Sequence, residues 1–583
     1  MRTKQIKYSI AALVASVTVT TSCSRFEEMN INRNAVQNTT ATTFVQPTVF
    51  NYEYRMINRS FTLTSQLMQY TVGHQQNADK ISNYRIQNSV AAGYWNDFYS
   101  VGGNAQAMLE QAKKDKNDAA LAVASIIKVI AMSTLTDAYG DVPYYDHVLG
   151  STDADVYKAR DDRGYVMDRV LEDFDFAARN LPGTWESGNT RGTKWAALAY
   201  ASRAAFYEGT FRKYHGMADA DKYLRQAAAT AKEFITDSPF YLYEEGAEPY
   251  RELFYSENAK TCEVVLCRRY DKAFGISHSV PYNIKFGRTS LTRRFMNHYL
   301  MADGSRFTDK EGWETMPYSE ETQGRDPRMA QTVLCPGYKQ VEATTVTRNT
   351  LSSHTGYEPI KFVGTAANST TSGAASSDWI LMRAAEVYLN YAEAVAELGT
   401  ITQNDLEISV NLIRKRAKMT GIDLTKADAS PDPYLLECYP NVTKSAHTGV
   451  ILEIRRERTI ELLQEGHRYY DLIRWKEGKA FTQPLLGLYI PSKGEYDLDG
   501  DGTPDIYLKT KGETPSTKAP LIMEIDQDIF LSEGDHGYIS PHKKNPGEWN
   551  EARDYYYPIP TDDRSLTGGA LTQNPGWNDG LDF

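Results

Sequence analysis

Residues 117–141, NDAALAVASIIKVIAMSTLTDAYGD, constrain the fold more than any other stretch of the chain. Apolar and small side chains cover nearly every side of a 3.6-residue period, so a helix here has no face for water and must lie inside a core. Gly140 and Pro143, in YGDVPYY, break it. GTKWAALAYASRAAFYEGTF (192–211) then sets Ala and Ser where helices can approach closely, and DADKYLRQAAATAKEFI (219–235) follows. Helix pairs of this length resemble tetratricopeptide arrays in architecture, although the full repeat consensus is absent. Residues 241–375 are rich in Gly, Thr, Tyr and Pro and hold no sustained helical period, which predicts loops and small strands. Helices return in DWILMRAAEVYLNYAEAVAELG (378–399), DLEISVNLIRKRAKM (405–419) and GVILEIRRERTIELLQEGHRYYDLIRW (449–475). The last hundred residues read as loops and turns. The expected class is mostly α: a tetratricopeptide-like helical-pair scaffold at about 45–240 and 378–480. Loop-rich regions at 241–377 and 481–583, with a few short strands, complete a single domain, 23–583.

At the N-terminus, Arg2, Lys4 and Lys7 precede an apolar stretch from Tyr8 to Val19. It is too short to span a bilayer and suits a secretory signal, predicted as residues 1–22. Thr20, Thr21 and Ser22 lead into Cys23, much as in the lipobox of bacterial lipoproteins, with Thr20 where Leu is usual. Cys23 is therefore expected to be acylated; an ordinary signal peptide with an incidental Cys is the alternative. The SRFEE that follows is similar to the acidic tag of surface lipoproteins in Bacteroidetes-type bacteria. The remainder, in a chain with 41% hydrophobic and 24% charged residues, shows no second apolar run long enough to cross a membrane. Formal charge is −11, and −14 without Arg2, Lys4 and Lys7. Such an acidic chain argues against nucleic acid and anionic lipid as partners, so the acyl group would carry membrane attachment. Cys262, Cys267, Cys335 and Cys438 lack the paired spacing of a zinc or redox motif and read as buried thiols.

YDLDGDGTPD (496–505) carries the most specific chemistry. Asp497, Asp499, Asp501 and Asp505, with Gly502 for the turn and the Thr503 carbonyl, fall at positions 1, 3, 5, 9, 6 and 7 of a calcium loop. Position 12 is Leu508 instead of a bidentate carboxylate, so Glu495, a remote ligand or water would have to complete the shell. A structural Ca2+ is expected here, with a solvated acidic turn as the alternative. Enzyme signatures are missing: there is no HExxH, GxSxG, GxxxxGK[ST] or dinucleotide fingerprint.

Five blocks carry a family resemblance: YGDVPYY (139–145), RDPRM (325–329), RAAEVYLNYAEAVAELG (383–399), IRRERTIELLQEGHRYYDLIRWKEGKAF (454–481) and YYYPIPTDDRSLTGGALTQNPGW (555–577). They resemble SusD/RagB nutrient-binding outer-membrane lipoproteins, in the family's order, with a long insertion around 485–545 as the departure. The resemblance implies a surface lipoprotein of the outer membrane that captures an oligosaccharide or polysaccharide. It would deliver this ligand to a SusC-like TonB-dependent transporter without catalysis. Peptide binding on the same scaffold is the alternative; a surface glycoside hydrolase and a bare helical scaffold are further ones. The charges of EIRRERTIELLQEGHRYY are expected to lace helix faces by ion pairs, with Gly466 as a cap and Trp577 docking the terminus. A catalytic role for Glu457, Glu461 and His467 is the competing reading.

Ligand contacts are expected in the loops between these blocks. Tyr84 and Arg85 (in 70–88), Trp95, Tyr282 and Asn283, and Trp313 and Tyr318 are the candidates. Sugar rings need aromatic faces for stacking and polar side chains for their hydroxyls. Trp95, in a helical context, is equally a core candidate.

Overall fold

Six long helices open the scaffold: α1 (Ala41–Asn58), α2 (Asn88–Asp115), α3 (Asp118–Tyr139), α4 (Arg163–Asn180), α5 (Lys194–His215) and α6 (Ala220–Asp237). The structure is a computed structural model that describes residues 40–58, 71–72, 88–286 and 290–578, apart from 151, 187, 542 and 544–546. From α2 to α6 each helix packs on the next. Asn117 caps α3, its side chain accepting the Ala120 N–H at 3.0 Å, and Gly140 ends the helix at φ 75°. Residues 122–132 are buried without a break. They include Lys128, 5% exposed, whose ammonium lies 4.6 Å from the centre of the Tyr144 ring. By length and composition α3 could cross a membrane, which corrects the expectation that no second such run exists. Packing in the helical array buries that surface instead. A Cβ on Gly209 of α5 would stand 2.8 Å from the Leu224 backbone nitrogen, so α5 and α6 meet at backbone distance.

Helix α7 (Ala384–Glu397) packs on α5, α6 and α8 (Thr448–Glu461), and α9 (Arg468–Arg474) lies on α5. β1 (Thr71–Val72) pairs antiparallel with β3 (Ser290–Leu291). β2 (Val264–Arg268) pairs antiparallel with β4 (Trp379–Arg383), placing Val264 opposite Arg383 and Arg268 opposite Trp379. All five β2 residues are buried. Among the described residues four thiols are free; Cys267, Cys335 and Cys438 are buried, while Cys262 is only partly so.

The insertion is more ordered than loops and turns. β5 (Tyr489–Ile490) pairs antiparallel with β9 (Gly537–Tyr538). β6 (Gly494–Tyr496), β7 (Ile506–Lys509) and β8 (Leu521–Glu524) form a mixed sheet, antiparallel then parallel. Leu498, Ile506, Leu508, Leu531 and Ile539 join Leu291, Phe295, Tyr299 and Tyr357 in a second core. Alternate burial along β7, the mark of a half-buried strand, accounts for its register.

Helix α8 ends at Glu461 and Gly466 does not cap it. Gln464 and Gly466 both take positive φ, so the chain reverses across 462–466 before α9 begins. The charges of α8 do form ion pairs, but buried ones that reach across the chain. Glu461 meets Arg383 at 2.7 Å, Arg328 at 3.2 Å and, more closely, Arg416. Glu457 pairs with Arg414 at 3.0 Å and with Arg328. Glu263, just before β2, holds Arg383 at 2.9 Å and Arg416 at 3.0 Å. Trp577 docks as expected, its indole N–H donating to the Tyr556 carbonyl at 2.9 Å.

Candidate functional site

Two aromatic surfaces lie in the loop-rich half. The first is the short helix Val280–Phe286, which buries Val280, Pro281 and Ile284 and leaves its other side outward. There the rings of Tyr282 and Phe286, one turn apart, sit 4.7 Å from each other. Phe286 is 50% exposed, Tyr282 partly buried and Asn283 exposed. Before this helix, Asp271 bridges to Ile276 and closes a turn with Phe274 outermost, 80% exposed. His278 anchors the segment through a bond to the Ser377 carbonyl at 3.0 Å, and burial pushes its imidazole down to about 4. Further along the chain, β3 pairs with β1 through Thr71 opposite Leu291 and Val72 opposite Ser290. Tyr84 and Arg85 themselves, like Cys23, lie outside the described residues.

Trp313 is partly buried and anchors the second surface. Phe307 and Tyr434 pack edge-on against it at 6.3 and 6.0 Å, and the Arg293 guanidinium lies 5.9 Å from its ring. Arg293 also donates to the Trp313 carbonyl at 2.6 Å and lies 5.2 Å from the Tyr538 ring. Tyr538 donates to the Glu314 carbonyl at 3.0 Å and meets Tyr489 edge-on at 5.5 Å. The insertion thus supplies half of this patch. Among the described residues no ring contact joins the two surfaces.

Two candidates are corrected. Tyr318 is 5% exposed, its hydroxyl donating to the Leu334 carbonyl, because its neighbours close the second core over it. Trp95 is 4% exposed between Tyr99 and Tyr139, at 4.6 and 4.9 Å, on the inward stripe of α2. Phe274, Phe286, Tyr489 and Tyr538 were missed. The i, i+4 spacing of Tyr282 and Phe286 was a visible signal for one of them; pairing of β5 with β9 was not.

The acidic loop is the turn of the β6–β7 hairpin. Carboxylate oxygens of Asp497, Asp499 and Asp501 lie within 4.8 Å of one another. Asp497 accepts the N–H groups of Gly500 and Gly502, both at 2.7 Å. Its partial burial opposes ionisation, but these bonds prevail and keep the carboxyl below its usual range. Asp505 is 1% exposed and accepts the Leu498 N–H at 2.8 Å; desolvation raises its carboxyl. The Thr503 N–H donates to Asp501 at 2.8 Å. Arg348, which the sequence did not suggest, brings a guanidinium to Asp501, to Asp505 at 3.5 Å and to Asp499 at 3.7 Å. The donor set fits a hard cation, since three carboxylates converge and a positive group lies on them. Leu508 is buried in β7 and offers no twelfth-position ligand.

Glu457 and Glu461 are buried against arginines, and His467 is partly buried, 3.5 Å from Glu386, with its imidazole pushed well down by desolvation. The cavity beside His467 holds about 60 Å³, room for a few waters.

Residues 265–577 match the family model described as the SusD family. The chain belongs to the SusD family. Residues 33–192 of this SusD-family protein also match a model described as "Starch-binding associating with outer membrane". SusD-like protein P2 of Formosa agariphila is 22% identical over 82% of this chain and 92% of its own. A SusD-like carbohydrate-binding protein from Bacteroides fragilis superposes with a TM-score of 0.65 at 17% identity, covering 90% of this chain and 99% of its own. A laminarin-binding SusD-like protein gives 0.55 at 17% identity, over 92% and 99%. The fold of this SusD-family protein, mostly helical with few short strands, is thus the one the sequence predicted.

Proposed function

We propose that this SusD-family protein is an outer-membrane lipoprotein, anchored through Cys23, that captures an oligosaccharide or polysaccharide at the cell surface. It passes the ligand unaltered to a SusC-like TonB-dependent transporter. The observation that carries the reading is the outward Tyr282–Phe286 pair with exposed Asn283 beside it, which combines a stacking face with hydroxyl-binding groups. Trp313 with Tyr489 and Tyr538 supplies a second such surface. Laminarin binding by one structural neighbour and the starch-binding family description support a glycan over a peptide. Burial of Glu457 and Glu461 against arginines favours capture over hydrolysis.

The chain from Ser24 onward, titrated with a panel of soluble polysaccharides and mixed peptides, should bind one glycan and release no new reducing ends. Product release would turn the reading to an enzyme, and a response to peptides alone to peptide capture. Tyr282→Ala with Phe286→Ala should weaken glycan binding by about tenfold, the loss of stacking worth about 1.4 kcal/mol.

The 497–505 loop, in the same proposal, takes a structural Ca2+ that displaces Arg348 from Asp501. Calcium should then raise the melting temperature of the wild type and leave Asp499→Asn unmoved. Equal melting of both proteins with and without calcium would count against it.

A further inference from the structure

We infer that His147, Asp153 and Asp155 form a binding site for a divalent transition metal of the zinc class. It lies in the loop between α3 and α4, separate from both aromatic surfaces and from the acidic hairpin. His147 Nε2 is 3.0 Å from Asp153 Oδ2 and 3.7 Å from Asp155 Oδ2. The three donor atoms fall within 4.8 Å of one another. Zinc holds imidazole and carboxylate at about 2.0–2.2 Å, so tetrahedral donors stand about 3.3 Å apart, between the two distances found. One imidazole with two carboxylates selects zinc and its neighbours over calcium or magnesium, which take oxygen alone.

The ring is oriented as metal-binding histidines are. Its Nδ1 lies 3.0 Å from Asp146 Oδ1, which leaves Nε2 to face the other two carboxylates. Backbone on both sides of His147 is tied to α2. Gln106, 4% exposed, donates to the Asp146 carbonyl at 2.7 Å, and the Val148 N–H donates to Glu110 Oε1 at 2.7 Å. Asp153 Oδ1 accepts the Asp155 N–H at 3.1 Å, which turns Oδ2 toward the ring. The loop is therefore held in place from outside the donor set, and a metal would find its ligands assembled. His536 offers a contrast. Glu533 meets its Nε2 at 3.1 Å and Asp535 its Nδ1 at 2.9 Å, so no one nitrogen there has two carboxylates to share a metal with.

Zn2+ titrated by calorimetry into the metal-stripped full chain, with calcium present to fill any oxygen-only site, tests the inference. Wild type and His536→Ala should each bind one equivalent with equal affinity. His147→Ala and Asp153→Asn should lose that equivalent, and Asp146→Asn should bind it about 10–100-fold more weakly. Zn2+ should raise the melting temperature of the wild type but not of His147→Ala, and the same melt shows that the variant is folded. Zinc affinity unchanged in His147→Ala, or a wild type that takes up no stoichiometric zinc, overturns the site.

Discussion

Glu461 shows what one side chain does in this protein. Its carboxylate, 0% exposed, faces guanidinium groups from Arg328, Arg383 and Arg416, which lie in three separate parts of the chain. Replacing such an ion cluster by apolar residues can be neutral, but removing one member leaves charges buried without compensation. Glu461→Gln should therefore lower the unfolding free energy by about 3–5 kcal/mol, read from urea denaturation. A loss typical of a surface pair, under about 1 kcal/mol, would contradict this account. The alternating charges of EIRRERTIELLQ announced ion pairing, but spacing along one helix speaks only of neighbours three and four residues away. Partners contributed by RDPRM and by the start of RAAEVYL are a matter of tertiary packing, and local periodicity carries no trace of them.

Among the elements, α8 begins where space is tightest. A Cβ on Gly449 would stand 1.9 Å from the Ala427 carbonyl oxygen, in the helix Leu424–Ala429. Alanine in a helix ordinarily gains about 1 kcal/mol over glycine. Here the clash is with backbone and cannot be relieved by a rotamer, so Gly449→Ala should destabilise by about 1–3 kcal/mol in the same assay. A stabilised variant would refute the close approach. Periodicity also decides which candidate site residues were readable. On α2 the buried residues Ala91, Tyr94, Trp95, Phe98, Val101 and Ala105 follow a three-and-four spacing, so Trp95 belonged to the core by its place in the stripe. Tyr282 and Asn283 sit on a seven-residue helix whose outer face the loop composition did suggest. Tyr318 misled because polar neighbours argue for exposure, whereas it belongs to a second core that strands of the insertion, more than 150 residues away, help to build. Those strands are two to four residues long, below the length at which alternation stands out.

Across the molecule, buried carboxylates set the response to acid. Burial opposes ionisation of Glu453 and Glu461, but Arg456 and Arg414 hold the first at about 2, and Arg416, Arg383 and Arg328 hold the second lower still. In the unfolded chain both would titrate near 4.3. Groups with depressed folded values contribute stability that is complete above about 4.3 and is lost as pH falls toward the folded values. Glu53 and Glu477, pushed up by burial to about 8 and about 7, act in the opposite sense and add stability as pH drops from there to about 4.3. His215 and His278, both pushed down by burial to about 4, oppose that gain between about 6.5 and 4, so urea midpoints should change little from pH 8 to about 4.5 and then fall steeply toward pH 2.5. A steady decline beginning at neutral pH would show that other groups dominate.

Helix α3 has a meaning before folding is complete. On the export route proposed above, the chain is threaded unfolded through a translocon, and these 22 residues arrive there as a segment apolar enough to escape sideways into lipid. A lysine at the middle of such a segment raises the cost of that escape by about 2.5–3.5 kcal/mol. Lys128 occupies that middle, and in the finished protein it is an awkward guest, almost fully buried with its amine depressed by desolvation. Leucine would suit the folded core better and the passage worse. On that proposed route, the residue would serve the passage to the protein's place of work as well as its contact with Tyr144 in the folded core.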